Sequence, residues 1–509
     1  MEEQLNLVSK LSLSEMALRR VVINLWNESD IPAEIEGETN FTWKARNSFE
    51  PKFSNEVEKK VSKLLLPELL KKRMLDVAEP LRIEISKWQW LHNNFFIRIT
   101  HKKFDMNIYE QLCWTCTGAI DYRKTAEKLV RLKTLDIEKR YRLACFYCLE
   151  DCIPELWMDL PEKYKSRFND DVHPSLYNTY YLEYYWASVL KGEEFRLNDI
   201  VPGEFVNTSS TYQSLFTYSA CKGSKAATKY FFQKFTDQER SSALFRIVCD
   251  AFERFKTAHW LSYDVQLDLR SDVLLYLLSL LNREEQMQIL KQHPSICLKC
   301  FLDWPWQDLL LDIADTIWNF LPEDHYDAVL ERLFHNVFIF GTGYYLPELF
   351  RNFFMRSPVD FKKRYVDCEI DSRRWFLSEF LKAEDIETIK VVWGNVESSD
   401  RIRLLSDVHL YSLFFLMIRQ GAGHLVKLCI DAAKLPKEAR MIIKRSYMTS
   451  DLRDRTTYEF KLILEMLDGI GVSTYSTKGS RIEALTQAKR PSSEEEKKCN
   501  VLLKKLKRH

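Results

Sequence analysis

Cysteine is the residue type in this chain with the clearest capacity for chemistry. Three C-x-x-C pairs occur: Cys113-Trp-Thr-Cys116, Cys145-Phe-Tyr-Cys148 (with Cys152 close behind) and Cys297-Leu-Lys-Cys300. The first two pairs, with 28 residues between them, could bring four thiolates to a tetrahedral zinc ion. Any single pair could cycle between dithiol and disulfide. The flanking residues point elsewhere. Zinc knuckles sit on turns with Gly or polar neighbours, whereas Leu143-Ala-Cys-Phe-Tyr-Cys-Leu149 is an apolar, helix-compatible run. On a helix, an i, i+3 spacing puts both thiols on one face, and Cys is among the most buried residue types. The pairs are therefore expected to be core cysteines on helices, and no metal or cofactor is expected.

Three further groupings have a chemical reading and a plainer one. Asn169-Asp170-Asp171-Val-His173-Pro174 gathers oxygen and nitrogen ligands in one short stretch, which is also what a turn between helices looks like. Gly341-Thr-Gly343 has the glycines of a phosphate loop, but Tyr344-Tyr-Leu-Pro347 follows where Lys-Ser/Thr is needed. His424 lies beside Gly423, where its ring could bond a backbone carbonyl. Neither H-E-x-x-H, G-x-S-x-G, G-x-x-x-x-G-K-[ST] nor a kinase set occurs, so no nucleophile or base can be named.

Two features suggest binding instead of catalysis. Trp304-Pro305-Trp306 holds two indoles at a helix break, either as buried turn residues or as anchors for a protein partner. Trp304 and Trp306 are thus the candidate partner contacts. The last segment, residues 478–509, carries 10 Lys/Arg against 4 Glu, ending in Lys504-Lys-Leu-Lys-Arg508. Such a tail can solubilise, or meet acidic partners or an import receptor.

The elements that must position these residues follow from composition. A chain of 509 residues is too long for one ordinary core, so several domains or a repeat array are expected. Apolar residues are 46% and Gly only 13 in number, which favours helices joined by short turns over hairpins and phosphate loops. The net charge of +1 argues against a field that would recruit nucleic acid. MEEQLNLVSK has no signal-peptide form, so reduced thiols and an intracellular, more cytoplasmic than nuclear, location are expected. The apolar run Leu413-Phe-Phe-Leu-Met-Ile418 is far too short to span a bilayer, and no membrane is expected.

A repeat is legible. Acidic residues recur at Glu138, Glu239, Glu285, Asp324, Asp360, Asp400 and Glu438, with intervals of 36 to 46 residues from Glu239 onward. Five residues after each stands Leu143, Leu244, Leu290, Val329, Tyr365, Leu405 or Ile443. Seven before stand Phe232, Leu278, Ile317, Phe353 and Trp393. Thr236-Asp-Gln-Glu239 and Asn282-Arg-Glu-Glu285 have capping-box spacing. Pro322, Pro358 and Pro436 each stand two residues before their acid, with Ser357 as the expected cap before Pro358. Each acid should therefore open a helix, where negative charge suits the helix dipole.

Phe216-Thr-Tyr-Ser-Ala-Cys-Lys-Gly223 leading into Ala226-Ala-Thr-Lys-Tyr-Phe-Phe232, and Leu416-Met-Ile-Arg-Gln-Gly421-Ala-Gly423-His-Leu-Val-Lys-Leu428, resemble ankyrin-type repeats: a helix, a Gly turn and a second helix. The resemblance covers about 40 residues, lacks the Thr-Pro-Leu-His start, and meets a spacing above 33 residues. It implies divergent ankyrin-like units with an added helical segment; armadillo- or HEAT-like units are the competing choice. The expected fold is all-α, an α-solenoid of degenerate repeats of about 36–46 residues.

Three regions are expected: an N-terminal helical region, residues 1–102, with a loop over 31–55; the array, residues 103–475; and a partly disordered basic tail, residues 476–509. Within the first, residues 4–27 read as a helix and residues 57–77 as another interrupted at Pro67. Residues 81–100 alternate like two strands around Asn93-Asn94, or form a helix. The function this predicts is a protein–protein interaction scaffold presenting a long grooved surface. The alternatives are a nucleic-acid-associated protein using the basic tail, and an enzyme without a recognisable motif.

Overall fold

The computed structural model describes residues 11–27, 52–100, 110–168, 174–205, 210–257, 270–335, 347–367, 377, 380–381, 384–449 and 457–469. The fold is all-α: among the described residues regular structure is helical, and one isolated bridge joins Trp114 to Ile120. The chain divides into two compact units, Met1–Tyr365 and Val366–His509, a boundary that falls inside the 103–475 span expected as one array.

All seven recurring acids lie in first helical turns. Glu138 is in the Ile137–Phe146 helix, Glu239 in Asp237–Thr257 and Glu285 in Arg283–Gln292. Asp324, Asp360, Asp400 and Glu438 open Glu323–His335, Val359–Asp367, Ser398–Leu405 and Lys437–Thr449 in the same way. The residues five positions on are buried, except Leu244, which is half-buried. Both capping boxes close. Glu239 N donates to Thr236 Oγ1 (3.2 Å) and Thr236 N to Glu239 Oε2 (2.8 Å). Asn282 and Glu285 exchange the same pair of bonds at 3.0 Å each. Ser357 is not a cap. Its hydroxyl donates back to Phe354 O (2.6 Å) and meets the Tyr326 hydroxyl (2.9 Å), so Pro358 itself precedes the Val359–Asp367 helix.

In the first unit, helices pack mainly on near neighbours in sequence. Leu13–Asn27 and Lys52–Ser62 lie on Glu68–Thr100, and Tyr122–Arg131 lies on Ile137–Phe146, which packs on Pro174–Lys191. Thr211–Cys221 and Lys225–Gln233 form a tight pair turned by Gly223 at φ +73°. Further on, Pro294–Cys300 contacts Glu323–His335, and Gln307–Ile317 contacts Pro347–Arg356.

The stretch that alternates like strands is helix. Glu68–Thr100 is one helix containing Pro80, with Asn93 and Asn94 inside it. Met74, Ala78, Leu81, Ile85, Trp88 and His92 follow helical spacing and are all buried, and Ile83 is buried on a second face. Burial on two sides of one helix mimics a period of two. Pro67 does interrupt the region, between Ser62 and Glu68. Residues 52–55 belong to the Lys52–Ser62 helix and not to the expected loop, whose remainder lies outside the described residues. The first described helix begins at Leu13, and residues 1–10 lie outside the described set. The tyrosine-rich Pro174–Lys191 helix is kinked at Tyr180 (φ −121°, ψ 17°), with Tyr181, Tyr185 and Trp186 buried.

In the second unit three successive helices each pack on the third helix downstream. Ile386–Gly394 meets Gly423–Ala432, Ser398–Leu405 meets Lys437–Thr449, and Val408–Arg419 meets Tyr458–Asp468. Gly421 (φ +87°) turns Val408–Arg419 into Gly423–Ala432. Two arginines repeat one geometry. Arg401 donates to Val396 O (2.7 and 2.9 Å) and to Ala433 O (3.0 Å). Arg440 donates to Leu435 O (3.1 Å) and Leu467 O (3.4 Å). Each guanidinium thus satisfies carbonyls left open near helix ends.

Candidate functional site

Two of the sequence-marked features, Cys113–Cys116 and Trp304-Pro305-Trp306, meet in the first unit. Residues 113–121 are not helical, contrary to expectation for this cysteine pair. They form a tight turn in which Thr115 N donates to Ala119 O (2.9 Å) and Asp121 N to Cys113 O (2.7 Å). Thr-Gly-Ala after Cys116 is the signal for it: Gly118 adopts φ +80°, a left-handed conformation that favours glycine. Cys113 is half-buried and Cys116 exposed.

Trp304 lies against this turn. Its indole Nε1 donates to Gly118 O (2.9 Å), and a Cβ on Gly118 would sit 3.2 Å from the Trp304 ring. Arg19, from the Leu13–Asn27 helix, stacks its guanidinium over the same ring at 4.3 Å. It also donates to Thr117 O (2.7 Å) and pairs with Asp308 (3.4 Å). Trp306 Nε1 donates to Asp272 Oδ1 (3.0 Å). Both indoles are half-buried with their N–H groups bonded inside the protein, and the Trp304–Pro305 peptide is cis. The two tryptophans therefore join the N-terminal helix, the 113–121 turn and the 270–317 region, and the Arg19–Asp308 pair beside them spans 289 residues of sequence.

Behind this junction lies Glu84, 7% exposed, whose carboxylate accepts from Ile120 N (3.2 Å). Burial pushes its pKa up to about 7; Lys87 opposes the shift, while Asp272 and Asp303 add to it. Glu84 is thus poised to hold a proton near neutrality. Two turns on, His92 is buried with Nδ1 2.7 Å from Trp88 O and Nε2 3.0 Å from the Tyr147 hydroxyl. A carbonyl only accepts, so Nδ1 carries the hydrogen and Nε2 accepts from the tyrosine. Burial pulls the imidazole down to about 4, the Trp88 bond opposing it, and the ring stays neutral.

The other two C-x-x-C pairs are core residues. Cys145 lies in the last turn of its helix, while Cys148 stands just beyond in a left-handed conformation (φ 48°), and both are buried. Burial raises the Cys148 thiol to about 12 and the Cys145 thiol well above its ordinary value, which makes both poor nucleophiles. Cys297 and Cys300 lie buried in Pro294–Cys300. Beside Cys145 is an ion pair that no sequence motif marks. Arg142 Nε donates to Glu183 Oε1 (2.9 Å), and the Tyr164 hydroxyl donates to Glu183 Oε2 (2.9 Å). Arg142 is 0% and Glu183 4% exposed. The available signal was a single charge in each of two apolar runs, Tyr141-Arg-Leu-Ala and Tyr181-Leu-Glu-Tyr.

Among the described residues no group of three His, Cys, Asp or Glu side chains could hold a metal ion, and no helix is long and apolar enough to cross a membrane. His424 is exposed in the first turn of Gly423–Ala432. Residues 169–173, 341–343 and 476–509 lie outside the described residues. No protein-family model matches the chain, and no curated protein matches it.

Proposed function

We propose that the chain is an intracellular, mainly cytoplasmic scaffold that binds a protein partner through stacked helical repeats, divergent and ankyrin-like, without catalytic activity of its own. The observation that carries this reading is the recurrence in the second unit. Three consecutive helices pack on the next three, and Arg401 and Arg440 make matching carbonyl bonds 39 residues apart. Helical pairs that cannot bury their apolar faces alone gain that burial from the next pair. What remains outward is a set of helix faces, and such faces are what repeat proteins commonly offer to partners. The buried, bonded state of Arg142, Glu183, His92 and the core thiols fits a structural use of the polar groups that would otherwise suggest catalysis.

The test is affinity capture with the full chain, followed by cross-linking mass spectrometry, with and without nuclease. A stoichiometric protein that survives nuclease and cross-links to residues on the helical units is the expected result. Capture that vanishes with nuclease, leaving cross-links only within residues 476–509, would replace this reading with the nucleic-acid one. Failure to retain any protein above a scrambled-surface control would remove it.

A further inference from the structure

The turn between the Lys52–Ser62 and Glu68–Thr100 helices has the sequence Lys63-Leu64-Leu65-Leu66-Pro67-Glu68-Leu69-Leu70. Its leucines point outward: Leu65 is 103%, Leu69 71% and Leu66 38% exposed. The exposure does not come from a loose backbone. Leu64 N donates to Val61 O (3.1 Å), Leu70 N to Pro67 O (2.9 Å) and Lys71 Nζ to Ser62 O (3.3 Å). Val57, Val61 and Met74 anchor the two helices from inside, each at 2% exposure or less. The Glu15–Arg73 ion pair brings the start of the Leu13–Asn27 helix to the same end, adding Leu13 at 82% exposure.

Around these leucines the charge is strongly one-sided. Residues 58–73 contain Lys59, Lys60, Lys63, Lys71, Lys72 and Arg73 against Glu58 and Glu68; with Glu15, which pairs with Arg73, the excess is three positive charges in a chain whose total is +1. Glu68 is already engaged by Lys71 at 2.9 Å.

We propose that this turn docks the protein on an anionic lipid bilayer surface, with the leucines entering the headgroup layer and the surrounding lysines meeting lipid phosphates and carboxylates. Protruding aliphatic side chains ringed by lysine suit a soft, negatively charged surface. Protein interfaces favour a different set: their anchors are enriched in Trp, Tyr and Arg, while Lys is depleted and Leu under-represented. The docking is peripheral and needs no spanning helix. It is independent of the scaffold reading, because the turn contains none of the repeated acids and neither of the arginines that support that reading.

The experiment is flotation of the full chain with phosphatidylcholine vesicles, with and without phosphatidylserine, over a salt series. Binding only to the phosphatidylserine vesicles, weakening with salt, is expected. Leu65→Glu/Leu69→Glu should lower partitioning by at least about tenfold. Lys59→Gln/Lys63→Gln/Lys72→Gln should lower it by about a hundredfold, at about fivefold for each charge. Leu65→Ser/Leu69→Ser, with circular dichroism on every variant, separates lost insertion from lost fold. All variants keep the basic residues 478–509 unchanged. If they float like the parent chain, the tail is the membrane contact and the proposal is overturned. Absence of flotation on anionic vesicles overturns it too, as does a leucine variant that changes only oligomeric state, which would assign the patch to a second copy of the chain.

Discussion

Replacing Glu84 by Gln should make the first unit more stable as pH rises, relative to the parent chain. The unfolded carboxyl ionises above about 4.5, whereas the folded one holds its proton up to about 7. A raised folded value means that the favourable contribution is complete below pH 4.5, declines between 4.5 and 7, and is gone above 7. At 1.36 kcal/mol per pH unit the loss is about 3 kcal/mol. Gln cannot ionise, yet its amide oxygen can still accept from Ile120 N, so the bond at 3.2 Å has a substitute. The measurement is urea unfolding of parent and Glu84→Gln chains from pH 4.5 to 7.5, followed by tryptophan fluorescence, since Trp88 lies one turn away. With an m-value of about 3 kcal/mol/M, the midpoints should move apart by about 1 M over that range. Midpoints separated by a constant amount at every pH would refute the reasoning, for they would mean that Glu84 ionises alike in folded and unfolded chains.

Two other buried groups yield direct tests. His92 has a depressed folded value of about 4 against about 6.5 unfolded, so its contribution is present above 6.5 and lost as pH falls to 4, by about 3 kcal/mol. His92→Phe should abolish that acid-side slope at the cost of the Tyr147 bond; a slope unchanged in unfolding curves would count against a neutral buried imidazole. Arg142→Met should destabilise by about 3–5 kcal/mol, because it leaves the Glu183 carboxylate buried beside apolar groups. The double replacement Arg142→Met/Glu183→Met should cost less than Arg142→Met alone, and strict additivity in a double-mutant cycle would contradict the buried pair.

The opposed signs at Glu84 and His92 bear on the parent chain. Between pH 4.5 and 6.5 one term falls as the other rises, at nearly equal slope, so together they leave little net dependence. Each becomes visible when the other is removed.

Legibility in the sequence tracked how local each determinant was. The helix starts at Thr236–Glu239 and Asn282–Glu285 rest on groups three residues apart, and the bonds are present as the spacing implies. The Gly223 and Gly421 turns are equally local. Ser357 departed because a tertiary partner, the Tyr326 hydroxyl, and the preceding carbonyl hold its side chain. The helix expected at Cys113–Cys116 from the apolar flanks of Cys145–Cys148 gives way to a turn, which Gly118 marks. Of the candidate site, sequence marked Trp304 and Trp306 but not Arg19, Gly118 or Asp272, which lie 34 to 285 positions away in the chain. Nothing local encodes such pairings, and nothing in residue type separates an indole bonded inside from one offered outward.

The arginine bonds of the second unit have a consequence for how its length can vary. Val396 to Arg401 and Leu435 to Arg440 are both five-residue steps, although the marker acids nearby, Asp400 and Glu438, are out of phase by one. A guanidinium has a fixed reach. Insertions and deletions should therefore be tolerated in the connections beyond each step, while one residue added within it would carry the arginine about 100° around its helix and away from both carbonyls.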